Sequence, residues 1–216
     1  IENTSGPLGQ GHVFGVGAAI AATWFNARYG EIHNPPSYAF ISDGGVQEEI
    51  SQGAGRLAGH LGLDNLIMFY DSNTIQLSTE CSEVTSEDVA AKYKAWGWYV
   101  QEIPGNDPDA IREAIIRAKA EKERPSLIIG HTIMGKGCVT AEGANWEGKC
   151  STHGTPLSKA GASFEKTIEN LGGDPQNPFV IFPEVAKLNE NRAIELHEIA
   201  NKKYAAYHEW KEKNPL

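Results

Sequence analysis

The chain has 216 residues, 40% of them hydrophobic and 22% charged, which is enough apolar material for a folded core and too little bias for disorder. A formal charge of -9 speaks against a nucleic-acid partner, which needs a basic face, but leaves room for a small anion held by backbone N–H groups. The longest apolar stretch, Val13 to Phe25, is too short and Gly/Ala-rich to span a bilayer, so no membrane partner is expected.

In chain order, GHVFGVGAAIAATWFNARYG (11–30) predicts a helix packed closely by small residues and ended by Gly30. YAFIS (38–42) predicts a short buried strand. VQEEISQGAGRLAGHLG (46–62) predicts a single helix, in which Gly53, Gly55 and Gly59 lower the propensity and are expected to admit a close neighbour. NLIMFYD (65–71) is the next strand, and TSEDVAAKYKAWG (85–97) a helix opened by Thr85 and Asp88 as a capping box. WYVQEI (98–103) gives a third strand. DPDAIREAIIRAKAEKE (107–123) gives a helix with Asp107 as N-cap and Pro108 at its first position.

PSLIIGHT (125–132) is the fourth strand. From Met134 to Pro156 periodicity gives way to a Gly-rich polar loop, of a length that is usually functional. Helices over 158–171 and 183–212 follow, with 173–182 as a linker. This alternation predicts an α/β fold of parallel βαβ units with right-handed crossovers. Cys81, Cys138 and Cys150 fall at no metal-ligand spacing and read as reduced thiols of a cytoplasmic protein.

Ligands of an open parallel sheet gather outside the carboxyl ends of its strands. Asp43 ends one predicted strand and Asn73 follows the next, so one βα unit delivers both to the same edge. A carboxylate, an amide oxygen and backbone carbonyls are hard ligands, suited to Mg²⁺ or Ca²⁺ rather than zinc. Gly44 and Gly45, entering a helix, offer N–H groups to phosphate oxygens. The competing reading has Asp43 capping that helix and Asn73 closing an Asx-turn. A dinucleotide site is disfavoured because no GxGxxG follows a predicted strand.

The pair SDGG…YDSN resembles the thiamine-diphosphate motif, a Gly-Asp-Gly followed about thirty residues later by Asn. TSGPLGQG, YAFISDGGVQEEIS, LAGHLGLDNLIMFYDSNTIQLS, PSLIIGHTIMGKG and THGTPL together resemble the transketolase family, from Asn3 to about Leu157. The resemblance implies a three-layer α/β/α thiamine-diphosphate-binding fold with a mainly parallel sheet, spanning 1–216 as one domain that lacks its N-terminal segment. Asp43, Asn73 and the carbonyl of Ile75 would be Mg²⁺ ligands. Gly44 and Asn73 would touch the diphosphate, and Gly6, Pro7 and Leu8 would line the cofactor near its aminopyrimidine. His153 would contact both the diphosphate and the sugar substrate.

Three positions depart from the family. Ser42 replaces the first Gly of the motif, and Ser72 stands where many relatives carry Asp. Gly53 replaces a glutamate of the subunit-interface carboxylate network, although Glu48 matches another member of it. The implied reaction passes a two-carbon ketol unit from a ketose phosphate to an aldose phosphate, with thiamine diphosphate carrying the carbanion chemistry. The pyrimidine-binding domain and its activating glutamate are expected from another part of the enzyme, across a homodimer or on a second polypeptide. The isolated chain is therefore expected to be a fragment and inactive. The alternatives are a 2-oxo acid dehydrogenase or deoxyxylulose phosphate synthase type of module, or a non-catalytic binding module of the same fold.

Overall fold

The computed structural model describes residues 3–30, 35–77 and 79–215. Helix α1 (Gln10–Tyr29) ends at Gly30, whose N–H closes onto the carbonyl of Asn26. Strands β1 (Ser37–Ser42), β2 (Leu66–Ser72), β3 (Tyr99–Pro104) and β4 (Ser126–His131) form a four-stranded sheet in the order β1-β2-β4-β3. Every pairing is parallel. The β1–β2 register sets Ser42 opposite Asp71, so the residues that follow, Asp43 and Asn73, leave the sheet at one edge.

Alternation along β2 sorts its side chains between two cores. Leu66, Met68 and Tyr70 face a core shared with Val16 and Ala19 of α1, and with Tyr93 and Trp98. Ile67 and Phe69 face a second core with Ala114 and Ala118 of α5 (Pro108–Ala120). The result is three layers, helix–sheet–helix, as the resemblance implies. Asp107 caps α5 through bonds from Asp109 and Ala110 N–H, with Pro108 in the first turn.

Three expected elements differ from what is observed. The helix over 46–62 is two: α2 (Asp43–Gln47) and α3 (Glu49–Leu61), broken where Glu48 takes an extended ψ of 132°. The capping box at 85–88 is absent, because Asp88 alone caps α4 (Val89–Ala95) through Ala91 N–H. Thr85 Oγ1 instead accepts from Glu87 N–H in the preceding turn. The helix over 158–171 is interrupted at Gly161, with φ of 92°, into α6 (Leu157–Ala160) and α7 (Phe164–Asn170). A local Ser163 cap restarts the second piece.

The expected close approaches fall at Gly55 and Gly59. A Cβ on Gly59 would lie 1.8 Å from the Trp96 carbonyl oxygen, and one on Gly55 would lie 3.0 Å from the Trp96 ring. Gly53 has open space around it. Residues 171–182 hold no helix or strand before α8 (Pro183–Lys213). Among the described residues no helix is long and apolar enough to cross a membrane.

Candidate functional site

The site begins where β1 ends. Ser42 Oγ accepts from Gly45 N–H at 3.3 Å and caps α2. The cap is therefore Ser42 and not Asp43, which corrects the helix-cap alternative. Asp43 is the first residue of α2, and its carboxylate turns towards the end of β2. Oδ1 accepts from Tyr70 OH at 2.6 Å. Oδ2 accepts from the N–H groups of Asn73 at 2.9 Å and Thr74 at 3.1 Å.

Asp43 is 3% exposed. Among the described residues no cationic side chain pairs with it. A buried carboxylate faced only by neutral donors is costly unless a cation joins it. That position fits a metal ion.

Asn73 Oδ1 accepts from Ile75 N–H at 3.0 Å, so the Asx-turn is present and leaves the amide oxygen a second lone pair. Thr74, inside this turn, has φ of 66° and is the one non-Gly residue of positive φ among those described. Left-handed backbone costs a non-Gly residue about 1–2 kcal/mol. The Asp43 and Asn73 bonds hold the turn against that cost. Ile75 is 5% exposed and bridges to Glu80. No group of three or more His, Cys, Asp or Glu among the described residues can hold a metal. A cation here would rest on oxygens of Asp43, Asn73 and the Ile75 backbone.

Burial first, and the Asp43 carboxylate next, push the Cys81 thiol up to about 11, with Cys150 adding to the shift. The thiol thus lies against Asp43, and Cys150, which adds to its shift, opens the short turn Cys150–Thr152. His153 ends that turn. Its Nδ1 is buried with no hydrogen-bond partner among the described residues, an open position for a polar group.

Gly6, Pro7 and Leu8 form the turn before α1. Leu8 Cδ1 comes within 3.2 Å of where a Gly44 Cβ would stand, so the glycine admits this turn beside the Asp43 corner. Pro7 and Leu8 line a cavity of about 330 Å³ together with His12, Ser42 and Gly45. His12 is 1% exposed, and neither ring nitrogen has a partner among the described residues. Burial lowers its pKa to about 4, which keeps the imidazole neutral near pH 7.

Tyr70 and His12 escaped the sequence reading. Tyr70 had a usable signal, since a tyrosine in a buried strand needs a partner for its hydroxyl. His12 follows a Gly-rich turn inside a helical pattern and gave none.

The family "Transketolase, thiamine diphosphate binding domain" matches residues 1–216. The chain belongs to the transketolase family. It is 40% identical to transketolase of Kluyveromyces lactis over 212 residues, covering 95% of this chain and 30% of that protein. It is 38% identical to transketolase 2 of Escherichia coli over 214 residues, covering 96% and 31%. Transketolase from Pichia stipitis in complex with sedoheptulose 7-phosphate superposes with a TM-score of 0.88 at 32% identity, covering 98% of this chain and 31% of that one. The chain thus spans about a third of the transketolases it matches.

Proposed function

We propose that this chain supplies the diphosphate- and Mg²⁺-holding part of a transketolase site. In this reading Asp43, Asn73 Oδ1 and the Ile75 carbonyl hold Mg²⁺, with Ca²⁺ as a chemically similar substitute. Gly44 and Asn73 touch the diphosphate, the Gly6–Pro7–Leu8 turn lines the cofactor, and His153 meets diphosphate and sugar. The observation that carries the reading is the buried Asp43 carboxylate, held by three neutral donors and lacking a cationic partner among the described residues.

When bound, thiamine diphosphate supplies carbanion chemistry for a two-carbon transfer from a ketose phosphate to an aldose phosphate. The chain's own residues bind and orient. Asp43 is fixed before any ion arrives, so little ordering remains for binding. The Asx-turn holds the Asn73 amide beside it. His153, whose buried Nδ1 has no partner among the described residues, provides a hydrogen-bonding group.

The sedoheptulose 7-phosphate held by the Pichia stipitis relative supports a phosphorylated ketose as substrate. Exposed Phe40 on β1, and Ile50 and Leu57 on α3, support a covering partner. That partner is a pyrimidine-binding domain of the same enzyme, reaching across a homodimer or carried on a second polypeptide. A cytoplasmic location goes with this reading. The test is two-carbon transfer from sedoheptulose 7-phosphate to an aldose phosphate by the full-length enzyme. Transfer that requires both Mg²⁺ and thiamine diphosphate supports the proposal; no transfer with both present overturns it.

A further inference from the structure

We infer that Gln47 is a positioning residue that ties together the two walls of the Asp43–Asn73–Ile75 corner, an inference that rests on the metal reading above. Its Nε2 donates to the Asp43 backbone carbonyl at 3.0 Å and to Gln76 Oε1 at 2.9 Å. A carbonyl oxygen only accepts, so the group facing it is the NH₂ end of the amide. That NH₂ carries two hydrogens, and both bonds coexist.

The two walls need such a tie because neither is rigid by continuity. Helix α2 is five residues long and is cut from α3 at Glu48, so no unbroken helical ladder aims Asp43. Side chains take over that task. Gln52 Nε2 donates to the Gln47 carbonyl at 3.2 Å, and Lys92 Nζ donates to Gln52 Oε1 at 3.4 Å. The facing wall is the loop after β2, closed on itself by Gln76 N–H to Thr79 carbonyl at 3.0 Å and Cys81 N–H to Thr74 carbonyl at 2.9 Å.

Among the described residues, apart from the Gln47–Gln76 bridge, the polar links between α2 and this loop run through the Asp43 carboxylate itself. Those oxygens are the ones a cation would claim. The bridge holds Ile75, which precedes Gln76, at a set distance from Asp43 without occupying a ligand. Gln47 thereby acts through other residues and touches no reacting atom.

The test is a double-mutant cycle in the full-length enzyme with Gln47→Met, Gln76→Met and the pair; methionine keeps much of the volume and removes the amide. Mg²⁺ affinity is read by calorimetry at saturating thiamine diphosphate, beside thermal unfolding without Mg²⁺. Each single change should weaken Mg²⁺ binding about 2- to 10-fold, the worth of one net hydrogen bond. The pair should be no weaker than the worse single change, as expected for partners in one bond. Turnover should recover at saturating Mg²⁺. Unchanged Mg²⁺ affinity in the single variants, or effects that simply multiply in the pair, would overturn the inference, even where the unfolding temperature drops. If Gln47→Met does not fold, Gln76→Met decides alone, because Gln76 is half-buried on the loop after β2, outside the sheet and helices. A wild-type enzyme that binds no Mg²⁺ removes the metal reading and this inference with it; normal wild-type binding with unaffected variants removes the inference only.

Discussion

Tyr70 OH donates to Asp43 Oδ1 at 2.6 Å, joining the end of β2 to the first residue of α2. Burial, and then the bond to Asp43, push the phenol's pKa well above its usual value, so it remains a donor across the working pH range. The carboxylate is oriented from beneath the sheet edge, leaving its other flank to the loop.

Tyr70→Phe should therefore destabilise the metal-free full-length enzyme by about 1.5–3 kcal/mol, the worth of a hydrogen bond to a charged group. With Mg²⁺ and cofactor bound the loss should be smaller, because a cation compensates the carboxylate. Denaturant unfolding with and without Mg²⁺ measures both. Equal losses in the two states would mean that no cation reaches Asp43.

His12 makes stability depend on pH. Its pKa is lowered from 6.5 to about 4 in the folded chain by burial, so between those values the unfolded chain takes up a proton that the folded one refuses. Stability is full above about pH 6.5 and is lost as pH falls towards 4, by up to about 3 kcal/mol. His12→Leu should remove this contribution. Unfolding free energies from pH 7 to pH 4 should fall more steeply for the wild type than for the variant; parallel curves would show that the imidazole is hydrated or partnered in solution.

The sheet and its edge were legible because they rest on short-range signals. Four apolar runs separated by helical patterns gave the strands, and the βα placement brought Asp43 and Asn73 together. Less legible was anything set by side-chain geometry across the fold. Ser42 rather than Asp43 caps α2, because Asp43 is drawn away by Tyr70, Asn73 and Thr74, contacts that appear only once β1 and β2 are paired. The break at Glu48 was hidden for a similar reason. The local pattern continues through it, and the bonds made by Gln47 and Gln52 decide the two helices' directions.

Two glycines of α3 separate packing from propensity. Gly59→Ala would put a methyl group 1.8 Å from the Trp96 carbonyl oxygen, so α3 must move, at a cost of about 3 kcal/mol. Gly53→Ala meets nothing within 4 Å and should stabilise the helix by up to about 1 kcal/mol. Thermal unfolding of the two variants checks the opposite signs. A neutral Gly59→Ala would refute the close approach of α3 to the Trp96 turn.

His153→Ala should lower turnover of the full-length enzyme by about 10²–10⁴-fold, the usual contribution of a positioned acid–base group. Its unfolding temperature should barely move, since the side chain sits on a loop and its Nδ1 supports no internal bond among the described residues. Steady-state kinetics with sugar phosphates, beside a melting curve, separates the two effects. Unchanged kinetics would return His153 to an ordinary loop residue.

In the proposed function the buried Asp43 carboxylate holds a cation against a diphosphate. Calorimetric titration of the full-length enzyme with thiamine diphosphate, with and without Mg²⁺, compares wild type with Asp43→Ala most directly. The wild type should bind tightly only when Mg²⁺ is present, and Asp43→Ala should lose most of that Mg²⁺-dependent affinity, since the anionic ligand dominates the hold on the ion. Equal, Mg²⁺-independent affinity in the two proteins would contradict it.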